Sequence, residues 1–339
     1  MAYIQNEFSH LALYSEASSE WGNVPSPDAG EVGGPVLVPV PFDQYEVRLT
    51  PENRVGDSMV GLLQDTYSRN WRSSLSGSLT APLLGYHPTG LTVSLAQYLL
   101  AWGLATPAGD LAEAADLPSK GAIFDVGASS ELAKRHVGLK PSSVSLNGTE
   151  ADGISVSIEL LGKDEVDGPA SPEPPADDVG DVLLTRFEYA DVTFKLGPKG
   201  GTLATVCTEQ FGLSASLNPV TAYCGGRRLS VIKPGRRQTQ LSVTLLEDDE
   251  QALIWDDIRR SADAAGQSEY AAEIVASATH NGSGASGTST RLTFTLPRLV
   301  YTGHSENRGR GELQKAPLTF NVLKPADTRH AVNLAAALV

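Results

Sequence analysis

The sequence has little of what metal and cofactor sites usually require. Only two cysteines, Cys207 and Cys224, and six histidines occur in 339 residues. The histidines stand singly, without an H-E-x-x-H motif or a closely spaced cysteine pair, and no G-x-S-x-G motif is present. These absences predict no metal, no cofactor, no catalytic residues and no enzyme activity. We expect the two thiols to be free and buried, and the alternative is a hairpin that brings them together.

Positive charge and long apolar runs are also scarce. The chain carries 26 Lys and Arg against 40 Asp and Glu, a formal net charge of -14, which disfavours tight binding of nucleic acid phosphates. The most apolar helix candidate, Leu91 to Leu104, is shorter than the roughly 20 residues that cross a bilayer, so no membrane span is expected. The N-terminus lacks a basic start and a continuous apolar stretch, which predicts no signal peptide and synthesis in the cytoplasm.

Apolar residues are nevertheless abundant enough, at 41%, for a folded protein. The length suggests two domains. An acidic, proline-rich segment at 164–181 has nothing large to bury and is predicted to be a linker or a long exposed loop. On either side of it the same order of signals recurs, a strand, one amphipathic helix and further strands, which indicates an internal duplication.

In the first half, residues 75–79 alternate as a half-buried strand, and a helix over 91–104 is expected to end at Gly103 in a left-handed conformation. Asn147-Gly148 predicts a turn. The strand that follows has Ile154, Val156, Ile158 and Leu160 on its core face, with Ser155, Ser157 and Glu159 on the other.

The second half repeats this plan. Residues 241–245 alternate as a strand, and a helix is predicted from about Glu250 to Arg260, with acids at its start and arginines at its end. Two further strands are predicted around 292–296 and 318–322. The fold class that follows is α+β, mostly antiparallel β, with two tandem β-sandwich or barrel units that each pack one α-helix.

Two motifs invite a functional interpretation. Gly282, Gly284 and Gly287 match G-x-G-x-x-G, but the residues that follow alternate as a strand, which favours a hairpin tip over a nucleotide site. Five cations cluster among glycines and prolines, with Leu229 and Val231 as core anchors and Ile232 left open as a third, and no aromatic side chains are interleaved as stacking platforms. A solvated loop, or one that meets acidic groups on another subunit, is favoured over a DNA contact. These cations are Arg227, Arg228, Lys233, Arg236 and Arg237.

The chain resembles the major tail tube proteins of tailed bacteriophages, in the long form with two tube domains in tandem. The resemblance rests on four stretches of sequence. They are RNWRSSLSGSLTAPLLG with the helix LAQYLLAWGL, GLKPSSVSLNGTEADGISVSIELLG, the stretch from FGLSASLNPVTAYCGG to LEDDEQALIWDDIRR, and LTFTLPRLVYTGHSENRGRGELQKAPLTFNVLKP. The resemblance implies an N-terminal arm at 1–39 and tube-like domains at 40–163 and 182–339. The acidic linker at 164–181 between them is an embellishment outside the family pattern.

The resemblance further implies a structural virion protein without chemistry. Three chains would form a pseudo-sixfold ring, and rings would stack into a hollow tail tube through which DNA passes without tight binding. The expected partners are further copies of the chain, the tape measure protein and tail-tip or terminator proteins, with assembly in the host cytoplasm. Ser155, Ser157 and Glu159 would then face the lumen, and the five cations would form a subunit-contact loop. The alternatives are another tail ring component, such as a distal-tail or baseplate-hub protein, and a virion decoration or host-binding module.

Overall fold

The alternating sequence folds into long antiparallel strands. The computed structural model describes residues 9–16, 37–55, 68–87, 93–104, 119–126, 133–151, 153–167, 186–246, 258, 269–279, 289–304, 315–324 and 333–338. Every strand pairing in these ranges is antiparallel. The predicted α+β class, mostly antiparallel β, is therefore confirmed.

The elements fall into two groups along the chain. The first half contains β1 (Ser9–Ser15), β2 (Val38–Pro39), β3 (Gln44–Tyr45), β4 (Arg48–Val55), β5 (Ser68–Pro82), α1 (Leu95–Leu104), β6 (Lys120–Val126), β7 (Lys134–Thr149), β8 (Gly153–Gly162) and β9 (Asp164–Asp167). The second half begins with a 3-10 turn (Tyr189–Asp191) and contains β10 (Val192–Pro198), β11 (Ala204–Val206), β12 (Thr208–Ser216), β13 (Val220–Ala222), β14 (Val231–Lys233), β15 (Gln238–Leu246), β16 (Glu269–Thr279), β17 (Ser289–His304), β18 (Lys315–Val322) and β19 (Asn333–Leu338).

Strand pairing repeats between the halves. The pairs β1–β6, β5–β8, β6–β7, β7–β8 and β7–β9 in the first half correspond to β10–β16, β15–β18, β16–β17, β17–β18 and β17–β19 in the second. The other neighbour of β5 is a strand interrupted into two pieces, β3 and β4. The corresponding neighbour of β15 is the single strand β12. The two halves therefore share one topology, although their residues differ.

Among the described residues one pair of named strands, β7 and β12, joins the halves, and an isolated bridge between Leu84 and Arg186 also crosses between them. β7 pairs with β8 on one edge and with β12 on the other, in a register that sets Leu146 opposite Leu213 and Gly148 opposite Phe211. The result is a continuous sheet of eight strands in the order β4-β5-β8-β7-β12-β15-β18-β17. Its apolar face packs into one hydrophobic core that spans both halves.

Helix α1 covers the apolar face of the first half. Ser94 caps its start: the Gln97 N–H donates to Oγ of Ser94 at 3.3 Å, and the Ser94 N–H donates to Oε1 of Gln97 at 2.9 Å. Leu95, Leu99 and Trp102 are buried, and the helix contacts β7 and β8. The helix begins four residues later than the start of the predicted segment.

The expectation for Gly103 is wrong. Gly103 lies inside α1 and has no positive φ. A Cβ on Gly103 would lie 2.8 Å from Cδ1 of Ile158 and 3.1 Å from Cγ2 of Val144. This position therefore needs glycine because the helix approaches the sheet closely, and not because the chain turns there.

The turn predicted at Asn147-Gly148 is also wrong. Both residues belong to β7, where Gly148 pairs with Ile154 on one side and Phe211 on the other. The chain turns at Glu150 and Ala151 instead. Asn-Gly favours a turn locally, but long-range pairing along two edges of β7 overrides that preference.

Two segments at the predicted boundaries contribute to the sheets. β1 lies in the segment predicted as an N-terminal arm, pairs with β6 and buries Leu11 and Leu13. β9 lies at the start of the predicted linker and pairs with Lys134–Val137. The rest of that linker, from 168 onward, lies outside the described residues.

Several second-half predictions fall partly outside the described residues. Of the helix predicted at 250–260 only Ile258 is described, and it is helical and fully buried. The glycine-rich segment with Gly282 also lies outside them, but its flanking strands pair up to Thr279 opposite Ser289, as a hairpin requires.

The thiols were expected to be buried, and this expectation is wrong. Neither Cys207 nor Cys224 forms a disulfide, and both are exposed. Cys207 directly precedes β12, and Cys224 lies in the loop after the opposite end of that strand. The geometry therefore also excludes the hairpin alternative in which the two thiols meet.

Candidate functional site

The eight-stranded sheet has one face that the core does not use. Along each strand, side chains alternate between the buried apolar face and this second face, where hydroxyl and amide side chains dominate. We call this second face, over β5, β8, β7, β12, β15 and β18, the polar face. Its side chains are Ser76, Ser78, Thr80, Ser155, Ser157, Glu159, Ser143, Ser145, Asn147, Ser214, Ser216, Gln238, Gln240, Ser242, Thr319 and Asn321.

The strand register aligns these groups into rows that cross both halves. One row runs through Thr80, Ser157, Ser145, Ser214, Gln240 and Asn321, each paired with its neighbour on the adjoining strand. A second row contains Ser78, Glu159, Ser143, Ser216 and Gln238. The polar face is therefore continuous across the β7–β12 junction.

The three residues predicted to lie together on this face do so. Ser155 and Ser157 are half-buried and Glu159 is exposed, while Ile154, Val156, Ile158 and Leu160 are buried on the opposite side. Oγ of Thr80 donates to Oγ of Ser157 at 3.1 Å, and Oγ of Ser143 donates to Oε2 of Glu159 at 2.8 Å. Short side chains held by neighbours lose little conformational entropy when they order water.

Most of the polar face was not singled out by the sequence analysis. The contributions of β12, β15 and β18 carry the same signal, an alternation of Ser, Gln, Thr and Asn with Leu, Val and Phe. That signal identifies a two-faced strand but does not say which strands lie side by side. Only the pairing of β7 with β12 unites the rows of the two halves.

The chemistry of the polar face is that of a neutral to weakly acidic wall. Of the side chains named above only Glu159 is charged, and the exposed Arg48 on β4, which pairs with Ser76, lies at the lateral edge of this face. No group of three or more His, Cys, Asp or Glu that could hold a metal ion occurs among the described residues.

The five predicted loop cations lie at one end of the polar face. They belong to residues 217–237, which we call the basic loop and which includes the hairpin β13–β14. Leu217, Leu229 and Ile232 form a small separate core that packs against Leu161 and Tyr223. The anchor expected at Val231 is therefore corrected to Ile232, because Val231 is only half-buried.

The basic loop is fastened to the first half of its own chain. The Ser73 N–H donates to the carbonyl of Arg227 at 2.8 Å, and Nζ of Lys140 donates to the carbonyl of Ile232 at 3.0 Å. The guanidinium of Arg72 lies 4.4 Å from the ring centroid of Tyr223, a cation–π contact. The loop conformation is thus set before any partner binds.

The side chains of the basic loop differ in their surroundings. Arg228 forms an ion pair with Asp164, within the same chain. Arg227, Lys233 and Arg236 are exposed and form no ion pair within the described part of the chain. Arg237 is half-buried. Three cations therefore point outward from an ordered loop.

The described strands form a duplicated antiparallel sheet with one packed face and one polar face, the architecture of a mainly β structural protein class. The profile of the phage tail tube protein family matches residues 9–320. The chain therefore belongs to the phage tail tube proteins, structural components of the virion tail that assemble into a tube. No match was found among functionally curated proteins. Among the described residues, no helix is long and apolar enough to cross a membrane.

Proposed function

We propose that this protein is the major tail tube subunit, and that three copies close into a pseudo-sixfold ring whose polar faces line the channel. Rings stack into the tube through which the phage genome is delivered. The observation that carries the proposal is the β7–β12 pair, because it joins two topologically equal units edge to edge. A ring forms when the same junction is made between copies.

The two edges that this junction requires are open. β3 and β4 pair with β5 alone, and Tyr301–His304 pair with β18 alone, among the described residues. These are the counterparts of β12 and β7, the strands that form the internal junction. An open strand edge presents backbone donors and acceptors that another chain can pair.

The internal junction also predicts the register between copies. Leu241 pairs with Leu213 and Phe320, as Leu79 pairs with Tyr45 and Ile158. Phe320 pairs with Tyr301, and Ile158 with Val144, so Tyr301 corresponds to Val144. Because Val144 faces Ala215 across the internal junction, Val47 of one copy should face Tyr301 of the next.

Strand spacing supports three copies over two. With strands about 4.8 Å apart, a barrel of three eight-stranded sheets is about 37 Å across between backbones, before strand tilt widens it. A barrel of two such sheets is about 24 Å across, and side chains from both walls narrow it further. Three copies therefore leave room for a DNA duplex behind a hydrated wall.

The polar face is suited to a conduit for DNA. Phosphate-binding proteins use Lys and Arg, and every such contact holds the polyanion in place. Hydroxyl and amide groups instead keep a layer of water that moves with little resistance. The tape measure protein and tail-tip or terminator proteins are the partners that such a tube requires, and assembly takes place in the host cytoplasm before the tail joins the virion.

Disulfide trapping tests the lateral junction. In a background with Cys207→Ser and Cys224→Ser, the pair Glu46→Cys and Thr302→Cys should cross-link neighbouring copies, because both side chains are exposed at facing positions of the proposed register. We expect a ladder of covalent dimers and trimers on a denaturing gel, ending at the trimer.

The matched control moves one cysteine inward by a single strand. Asn321 is exposed on β18 and pairs with Val300, two residues from Thr302, so Glu46→Cys with Asn321→Cys places the two Cα atoms about 12 Å apart, beyond disulfide reach. A ladder with Thr302→Cys and none with Asn321→Cys supports the junction. Tubes that form without any cross-link, a ladder that ends at the hexamer, or equal cross-linking in both variants overturns it.

The assignment of the channel wall has its own test. Ser155→Arg with Ser157→Arg adds six cations to each ring of three copies, and many weak phosphate contacts along the stack should slow DNA release. We expect normal tubes by negative-stain microscopy and retarded genome ejection from virions. Ser155→Asn with Ser157→Asn controls for added volume. If the arginine variant ejects DNA at the parental rate from normal tubes, the polar face does not line the channel.

A further inference from the structure

We propose that rings stack head to tail through a threefold electrostatic contact, in which the basic loop of one ring meets an acidic rim on the next. The acidic rim consists of Glu150, Glu188 and Glu209. This inference rests on the proposed ring and adds which ends meet and in which rotational register.

The two surfaces lie at opposite ends of the same strands. β12 begins at Thr208, next to Glu209, and ends at Ser216, where the basic loop starts. A nine-residue strand separates the two ends by about 30 Å. Stacking along the strand direction therefore brings the basic loop of one copy toward the rim of another.

The basic loop and the parts of β12 and β15 next to it contain no carboxylate of their own. Residues 210–246 contain five Lys and Arg and no Asp or Glu. Arg227, Lys233 and Arg236 are exposed without an ion pair among the described residues, on a loop already fixed by its bonds to Ser73 and Lys140. An ordered loop with outward cations loses little entropy when it meets an acidic surface.

The acidic end is assembled from three separate segments. Glu150 lies in the β7–β8 turn, and the Ile154 N–H donates to the carbonyl of Phe187 at 3.1 Å, which places Glu188 beside that turn. Burial raises the pKa of Tyr189, and the carboxylates of Glu209 and Glu150 raise it further, since both lie near this phenol. Glu150 and Glu188 form no ion pair in the part of the chain that the structure describes. One cation, Arg186, lies close by, because a Cβ on Gly153 would lie 3.3 Å from Nε of Arg186 and 3.6 Å from Oε2 of Glu188.

The charge pattern does not follow the duplication. The connection between β4 and β5, the counterpart of the basic loop, spans residues 56–67 and contains Asp57 and Asp65 but no Lys or Arg. The connection between β17 and β18, the counterpart of the acidic turn, spans 305–314 and balances two Arg with two Glu. Three of the six pseudo-equivalent positions in a ring are therefore basic at one end and acidic at the other.

This asymmetry has a consequence for the stack. A ring with sixfold charge could stack in any of six rotations, whereas threefold charge favours the three that place cations over carboxylates. Like-charge contacts disfavour the other rotations and the head-to-head orientation. The basic loop thereby sets the polarity and the rotational register of the stacked rings. Contact between this loop and DNA is the competing explanation that the experiment distinguishes.

Charge reversal at both ends tests the contact. Lys233→Glu with Arg236→Glu reverses the loop, and Glu150→Lys with Glu188→Lys reverses the rim. We expect each reversed variant to form single rings but to need at least about a tenfold higher protein concentration to form tubes in low salt, because attraction becomes repulsion at three sites per ring. The variant with all four substitutions should recover tubes at near the parental concentration.

The exchange Lys195→Glu with Glu273→Lys is the matched control, because this 2.7 Å ion pair lies in the middle of β10 and β16 and the exchange reverses both charges away from the two ends. It should assemble like the parent. Rings without tubes in the single-end variants and recovery in the combined variant support the inference. Loop-reversed protein that stacks like the parent, no recovery in the combined variant, or unchanged stacking with altered DNA retention overturns it. Failure of the parental protein to form rings would instead count against the proposed function.

Discussion

The junction between the halves depends on the pairing of Gly148 with Phe211, and Gly148→Val tests it. Gly148 has no positive φ, so strand preference alone would make valine neutral or stabilising by up to about 1 kcal/mol. A Cβ at this position, however, would lie 2.3 Å from Cε1 and 2.8 Å from Cζ of Phe211. The side chain must therefore displace the ring or open the β7–β12 pair.

The Phe211 ring has little room to retreat. It stacks on Tyr189 with centroids 6.1 Å apart, and the Tyr189 hydroxyl donates to the carbonyl of Thr208 at 2.9 Å. Phe211 is itself only 3% exposed. Overpacking of this kind costs about 1–3 kcal/mol. This cost exceeds the gain of up to about 1 kcal/mol that valine would have from its strand preference alone.

Urea unfolding of the unassembled protein provides the measurement. We expect Gly148→Val to lower the free energy of unfolding by about 2 kcal/mol and Phe211→Leu to lower it by about 1–2 kcal/mol. The double variant should show a coupling above about 0.5 kcal/mol, since leucine frees space for valine. Ser145→Val, on the polar face of the same strand, should change stability little. A neutral or stabilising Gly148→Val would refute the reasoning.

Three further predictions concern separate features. Ile158→Asp should prevent folding, measured by circular dichroism, because it places an unpaired carboxylate at a fully buried position. Burial lowers the pKa of Lys120 to about 8 from 10.5, so the unfolded chain binds more protons between those values and stability rises with pH there. Lys120→Met should therefore be more stable than the parent below pH 8 by up to about 3 kcal/mol, and urea titrations should show that advantage shrinking toward pH 10.5. A Gly-Ser insertion within 168–178 should leave a single cooperative melt unchanged.

The alternation of apolar and polar residues along the chain predicted most of the strands. The core faces of β5, β8, β15, β17 and β18 follow from a period of two residues, and the structure buries them as predicted. The repeated order of strand and helix also predicted the duplication, which the matching strand pairs display. Local periodicity survives because burial of one face is the main source of stability for every strand.

The errors share one cause. Gly103 and Asn147-Gly148 have strong local preferences for a helix end and a turn, but long-range packing places the first against Ile158 and the second opposite Phe211. Cys207 and Cys224 were expected in the core from their residue type alone, yet both lie at exposed strand ends. The type of a residue and its neighbours in sequence do not reveal which distant residue packs against it, and that distant residue determines the local structure at these positions.

The sequence by itself determined that this protein is a duplicated β fold without cofactor motifs, with Ser155, Ser157 and Glu159 on one face of a strand. Only the tertiary structure decided that β7 pairs with β12, that the polar faces of the two halves become one surface, and that Lys140 and Ser73 hold the basic loop in place. The physical reason is the range of the interactions. A strand's faces depend on residues two apart, whereas its edge partner depends on backbone groups that the chain brings together from 60 or more residues away.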